Sequence, residues 1–203
     1  MKSLGALAAG ERLERMRGSA QWSGTRFTNI HPILPGLRDP TVPMPSLKEF
    51  ICGGERRAPQ RELPHVSPLE AWARPPDSGL RVTWLGHSTM LLEIGGRRVL
   101  TDPVWGKRCS PSQLIGPRRF QPVPVALSQL PPLDLVVISH DHYDHLDYPT
   151  IRALAQSQVP FVTSLGVGAH LQAWGIAAER ITELDWWETY RLPGSGVEVT
   201  AAP

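Results

Sequence analysis

Leu133-Asp134-Leu135-Val136-Val137-Ile138-Ser139-His140-Asp141-His142-Tyr143-Asp144-His145 is the stretch from which the rest of the chain can be understood. Its unbroken apolar centre, Leu135 to Ile138, suits a β-strand covered on both faces. His140, His142, Asp144 and His145 follow where that strand should end. Side chains at i and i+2 of an extended backbone project to the same side, so His140 and His142 share a direction. Imidazole nitrogen and carboxylate oxygen both bind zinc, at about 2.0–2.2 Å, and one ion cannot easily use all four groups. The natural division gives His140 and His142 to one metal, and Asp144 and His145, displaced by a turn, to a second. The competing reading is a polar surface loop. Against it, three of the chain's 7 histidines fall between His140 and His145 together with two aspartates.

On the N-terminal side, Arg81–Leu85 and Thr89–Ile94 read as strands around a Gly86-His87-Ser88 turn, and Gly95-Gly96 turns the chain into a third strand, Arg97–Thr101. A proline-rich loop from Pro103 to Pro132 leads to the central strand. On the C-terminal side, Tyr148–Ala155 reads as a helix with proline in its first turn, Pro160–Thr163 as a strand, Gly168–Trp174 as a helix and Ile181–Leu184 as a strand. Gly194-Ser195-Gly196 then turns into Val197–Thr200. Strands alternating with helices indicate an α/β layered domain, here residues 79–203.

Residues 1–78 read differently. Of the 21 prolines in 203 residues, ten lie between Pro32 and Pro76. Proline fixes φ and removes a backbone donor, so this region is expected to be an irregular, extended arm. Trp22, Phe27, Leu34, Leu37, Phe50 and Trp72 give it the means to lie on the main domain. Disorder is the alternative.

The net charge of +2, with basic and acidic residues interspersed, gives no reason to expect nucleic acid as a partner. Cys52 and Cys109 stand far apart and form no Cys-x-x-Cys pattern, which disfavours a disulfide framework or a cysteine zinc ribbon and suits the cytoplasm. The small apolar run after Lys2 meets charge again at Glu11-Arg12, too soon for a secretory signal. No transmembrane segment is expected, because no run approaches the roughly 18–20 apolar residues of a spanning helix.

The segment Ser139-His140-Asp141-His142-Tyr143-Asp144-His145-Leu146-Asp147 resembles the signature of the metallo-β-lactamase superfamily. Trp84-Leu85-Gly86-His87-Ser88-Thr89, Leu100-Thr101-Asp102-Pro103-Val104-Trp105 and Leu184-Asp185-Trp186-Trp187-Glu188 are similar to the branch that contains N-acylphosphatidylethanolamine phospholipase D. The resemblance runs from about Leu80 onward. It implies an αββα four-layer sandwich with two metals at one edge, zinc first and manganese or iron as alternatives. It also implies hydrolysis of a phosphodiester, or a related ester or lactone, on a small-molecule or lipid-like substrate, by water activated between the metals, with Asp144 orienting that water.

In that family a further histidine, a bridging aspartate and a final histidine come from later motifs. The sequence therefore reads as the N-terminal half of the sandwich, a C-terminally truncated domain with an incomplete metal site. Weak zinc binding and little hydrolase activity are expected of it alone. The alternatives are an inactive fragment, or a module completed by a C-terminal chain or by a homo-oligomer.

Other residues carry secondary readings. His87 contacts substrate or supports the ligands, or is an ordinary turn histidine. Asp102 organises the loop beneath the site by accepting backbone or imidazole N–H groups. Asp134 and Asp147 cap loops. Trp186 and Trp187 pack in the core rather than line a groove. Arg118 and Arg119 belong to a solvated loop rather than meet an anion, and His170 is a helix residue without a site. His31 and His65 are loop residues.

Overall fold

A computed structural model describes residues 2–30, 41, 46, 59 and 61–203. It contains four α-helices among the described residues, α1 (Glu11–Gly18), α2 (Leu69–Trp72), α3 (Tyr148–Leu154) and α4 (Gly168–Ala173). The strands are β1 (Leu80–Gly86), β2 (Thr89–Ile94), β3 (Arg97–Thr101), β4 (Leu135–Ile138), β5 (Phe161–Ser164), β6 (Ile181–Leu184), β7 (Thr189–Arg191) and β8 (Glu198–Thr200).

The first six strands form one sheet in sequence order. β1, β2 and β3 are an antiparallel meander, whereas β3 to β6 run parallel. Parallel neighbours need crossovers, and α3 and α4 supply those from β4 to β5 and from β5 to β6. Because right-handed crossovers step in one direction along the sheet, both helices fall on the same face.

The strand period of two divides the core accordingly. Leu91, Leu100, Val136, Ile138 and Phe161 meet Ile151 and Leu154 of α3 and Leu171 of α4 on one side. Val99, Leu135, Val162 and Leu184 meet Leu192, Tyr190 and Val199 of the β7–β8 hairpin on the other. Helices, main sheet and the start of a second sheet are thus stacked in an α/β architecture of the kind the sequence implies. The strand at Thr189–Arg191 and the helix at Glu11–Gly18 were not anticipated from sequence.

The described parts of the proline-rich region rest on this domain. Trp72 is buried, and its indole nitrogen donates to Thr83 Oγ1 at 3.0 Å. Arg12 of α1 reaches Glu183 of β6 at 2.6 Å, and Trp174 donates to the carbonyl of Lys2 at 2.9 Å. Trp22 and Phe27 stack edge to face. Leu34, Leu37, Phe50, His31 and Cys52 lie outside the described residues.

Candidate metal centre

The parallel strands end along one edge of the sheet, and the turn between β1 and β2 returns to that same edge, because Met90 pairs with Thr101. His87 from that turn, Asp102 after β3 and the His140–His145 loop after β4 therefore converge.

Asp102 organises this edge. It adopts φ 39, and its buried carboxylate accepts from Ser139 N at 2.7 Å, Ser139 Oγ at 2.8 Å and His145 Nδ1 at 2.8 Å. A carboxylate can only accept, so His145 donates through Nδ1, which leaves Nε2 as the nitrogen that can face a metal. Ser139 is a participant that the sequence reading passed over. Its hydroxyl also lies 2.9 Å from His140 Nδ1 and 3.3 Å from His145 Nδ1. Only its place between the strand and the first histidine hinted at this.

The loop is anchored at its far end by Asp147, which caps α3. Asp147 accepts from Thr150 N, from Thr150 Oγ1 and from Gly106 N at 3.0 Å. Burial pushes its carboxyl above the ordinary range, and these hydrogen bonds pull the other way. Gly106 sits so close to the Asp147 carboxylate that a side chain there would collide with it. Asp134 likewise accepts from Arg98 N at 2.8 Å, joining β3 to the start of β4.

His87 occupies the left-handed region at φ 48, and its Nε2 lies 2.9 Å from Asp144 Oδ2. The indole of Trp84 donates to the carbonyl of His87 at 2.7 Å and fixes the turn. Burial works against the charge on Asp144, but its own backbone N–H, His145 and His87 outweigh that cost and hold its carboxyl below the usual range. Burial, followed by the neighbouring His145 and His142, lowers the pKa of His140 and so favours the neutral imidazole a metal requires.

One donor atom each from His87, Asp144 and His145 lie within 4.8 Å of one another, and among the described residues this is the group of three or more that fits a metal ion. His140 stands beside it, its ring 4.0 Å from that of His145 and 4.6 Å from that of His142. The donor set of imidazole nitrogens and one carboxylate, with His145 already oriented by Asp102, suits zinc, manganese or iron.

Two cavities meet at Asp144 and Cys109. One of about 670 Å³ has apolar walls from Leu63, Val66, Trp84 and Phe120, and His87 and Arg119 also line it. The other, of about 440 Å³, lies between His142 and His170. Burial and then Asp144 raise the pKa of Cys109.

Two of three secondary expectations are corrected. Arg119 is half-buried rather than fully solvated, because its guanidinium donates to the carbonyl of Val104 at 2.7 Å and lies against Gly86, whereas Arg118 is exposed. His170 is, as expected, a half-buried helix residue outside the metal group, with Nε2 3.8 Å from Asp141 Oδ2 and Gly5 packed on its ring. Trp187 is 66% exposed rather than in the core. The turn closed by Glu188 N on Asp185 O puts it at φ 72, with its side chain outward.

The beta-lactamase superfamily domain matches residues 97–203. An uncharacterized protein of Mycobacterium tuberculosis is 46% identical over 185 residues, which are 91% of this chain and 49% of that one. N-acyl-phosphatidylethanolamine-hydrolyzing phospholipase D 1 of Caenorhabditis elegans is 40% identical over 129 residues, covering 61% of this chain and 36% of its own. A diiron beta-hydroxylase from Streptomyces venezuelae superposes with a TM-score of 0.45 and 25% identity, over 61% of this chain and 24% of that one. The chain spans about half the length, or less, of these curated relatives.

Proposed function

The chain belongs to the beta-lactamase superfamily, and from that premise we propose that it is a metal-dependent hydrolase of phosphodiesters or related esters and lactones. His140, His142, Asp144 and His145 hold the metal ions, and zinc is the metal proposed. The observation that carries the reading is the Asp102–His145 contact at 2.8 Å, which turns the free nitrogen of His145 toward Asp144. Outer carboxylates of this kind fix the tautomer of a metal-binding imidazole. Bound metal supplies Lewis acidity and lowers the pKa of water toward neutrality.

The protein's own residues do the rest. Asp102 and Ser139 hold the imidazoles in place, Asp144 orients water, and His87 stands against Asp144 in the lining of the larger cavity. The walls of that cavity suit a substrate with an apolar portion, which supports a lipid-like phosphodiester, as does the activity named for the nematode relative. No helix among the described residues is long and apolar enough to cross a membrane. A cytoplasmic location is proposed from the two unmatched cysteines.

A second reading is a module whose metal site is completed by another chain, or in a homo-oligomer. The arm at 1–78 and the domain at 79–203 are proposed as the two units in either reading.

The test is hydrolysis of bis(p-nitrophenyl) phosphate by the zinc-reconstituted chain, alone and with a chelator. Turnover should require metal, and Asp144→Ala should cost more than the roughly 10–100-fold that follows loss of an outer-shell partner. Turnover that survives both chelation and Asp144→Ala overturns the reading. Absence of turnover by the chain alone supports the second reading over the first.

A further inference from the structure

The smaller cavity, beside His142 and His170, has a wall that comes from the far N-terminal segment. Leu4, in the 3-10 turn Lys2–Leu4, lines it. Two contacts fix that turn. Trp174 Nε1 donates to the carbonyl of Lys2 at 2.9 Å, and Gly5, at φ 72, lies so close to the His170 ring that a β-carbon there would collide with Nδ1. Further along, Met16 of α1 packs on Gly166, Arg12 binds Glu183 at 2.6 Å and Gln172 at 3.1 Å, and Arg15 binds Glu188 at 2.6 Å. These attachments lie on α4 and where β5 and β6 end, at the sheet edge that carries the metal loop.

An extension docked permanently for stability is the bland alternative. Permanent docking is built on apolar burial, the dominant favourable term in folding. Residues 2–18 have little of it, since α1 buries no residue and Leu7 is 92% exposed. The segment is held instead by a carbonyl, by close approach at two glycines and by charged pairs, of which Arg15–Glu188 is about half exposed. Gly5 and Gly10, both at positive φ, bracket the stretch between the turn and α1 and supply pivots. Contacts of this chemistry set where a segment lies but release it at a modest cost.

We propose that residues 2–18 are a detachable strap that covers the smaller cavity and controls entry to the metal loop from that side. When the strap is docked, Leu4 walls the cavity and Gly5 shields the His170 ring. When it is released, both are uncovered. The inference rests on these contacts and on neither metal binding nor hydrolysis.

Carbethoxylation by diethyl pyrocarbonate, followed at each histidine of the full chain by peptide mass spectrometry, tests it, with the exposed His65 as internal reference. At low ionic strength His170 of the wild type should react at least about 10-fold more slowly than His65. Gly5→Val puts a side chain where the His170 ring lies and should remove most of that protection. The Arg12→Ala/Arg15→Ala double variant leaves the turn unaltered and should also weaken protection; far-ultraviolet circular dichroism reports whether each variant is folded. In about 1 M salt, where the screening length falls to about 3 Å, wild-type His170 should react several-fold faster relative to His65. Wild-type His170 as reactive as His65 overturns the cover. Protection that persists in a folded Gly5→Val protein, or in the double variant should valine impair folding, overturns the assignment to the strap. Protection that the variants abolish but salt leaves untouched overturns detachment and makes the segment a fixed wall.

Discussion

The same face of the main sheet is closed at one end and open at the other. On β5 and β6, Val162 and Leu184 are 2% and 7% exposed beneath the β7–β8 hairpin. On β1 and β2, Leu80 pairs with Ile94, Val82 with Leu92 and Trp84 with Met90, which makes a second apolar row on that face. There Val82 is 54% and Trp84 63% exposed. Alternation shows which side chains share a face, but not whether a second layer lies over them.

The largest expected effect comes from asking whether that difference is energetic. Leu184→Ala removes a side chain with close neighbours on every side and should cost about 2–5 kcal/mol in urea unfolding. Val82→Ala at the open end should stay within about 0.5 kcal/mol, because the site is exposed in both states. Equal costs at the two positions would show that something covers the open end in solution.

The same contrast explains what could be read from sequence. Strands β1 to β6 announced themselves through apolar runs punctuated by Gly86, Gly95-Gly96 and Pro160, and α3 through Pro149 in its first turn. β7 did not, since Thr189-Tyr190-Arg191 is short, with both ends exposed. α1 buries no residue, so it had no apolar stripe to detect. In the site, His140, His142, Asp144 and His145 were visible because they are adjacent in sequence. The role of Asp102 beneath the loop was also legible, but its particular partners Ser139 and His145 and the pairing of His87 with Asp144 were not, because strand order creates them. No local pattern encodes a contact across 57 residues.

A smaller effect is expected where the N-terminal segment joins the closed end. Glu183, 8% exposed, accepts from Arg12 Nε at 2.6 Å and from the backbone of Gly166 at 2.6 Å and Gly168 at 3.1 Å. Glu183→Ala strands two backbone donors at the start of α4 and should cost about 1.5–3 kcal/mol by thermal or urea unfolding. Arg12→Ala should cost less, since Glu183 keeps its backbone partners. If the two variants cost the same, the salt bridge rather than the backbone cradle is what Glu183 provides.

The smallest effect belongs to the neighbouring pair on the same helix. Arg15 meets Glu188 at 2.6 Å, a distance identical to that of Arg12 and Glu183, but both side chains are about half exposed. Water screens such a pair, and ordering two long side chains costs entropy, so Arg15→Ala should change stability by only about 0–1 kcal/mol. That difference should shrink further as salt is raised from low ionic strength to about 1 M, where the screening length falls to about 3 Å. A cost that is large and independent of salt would place Arg15 with Arg12 among the contacts that hold α1 to the domain. Equal distances would then carry equal energies, and burial would not be the factor that separates them.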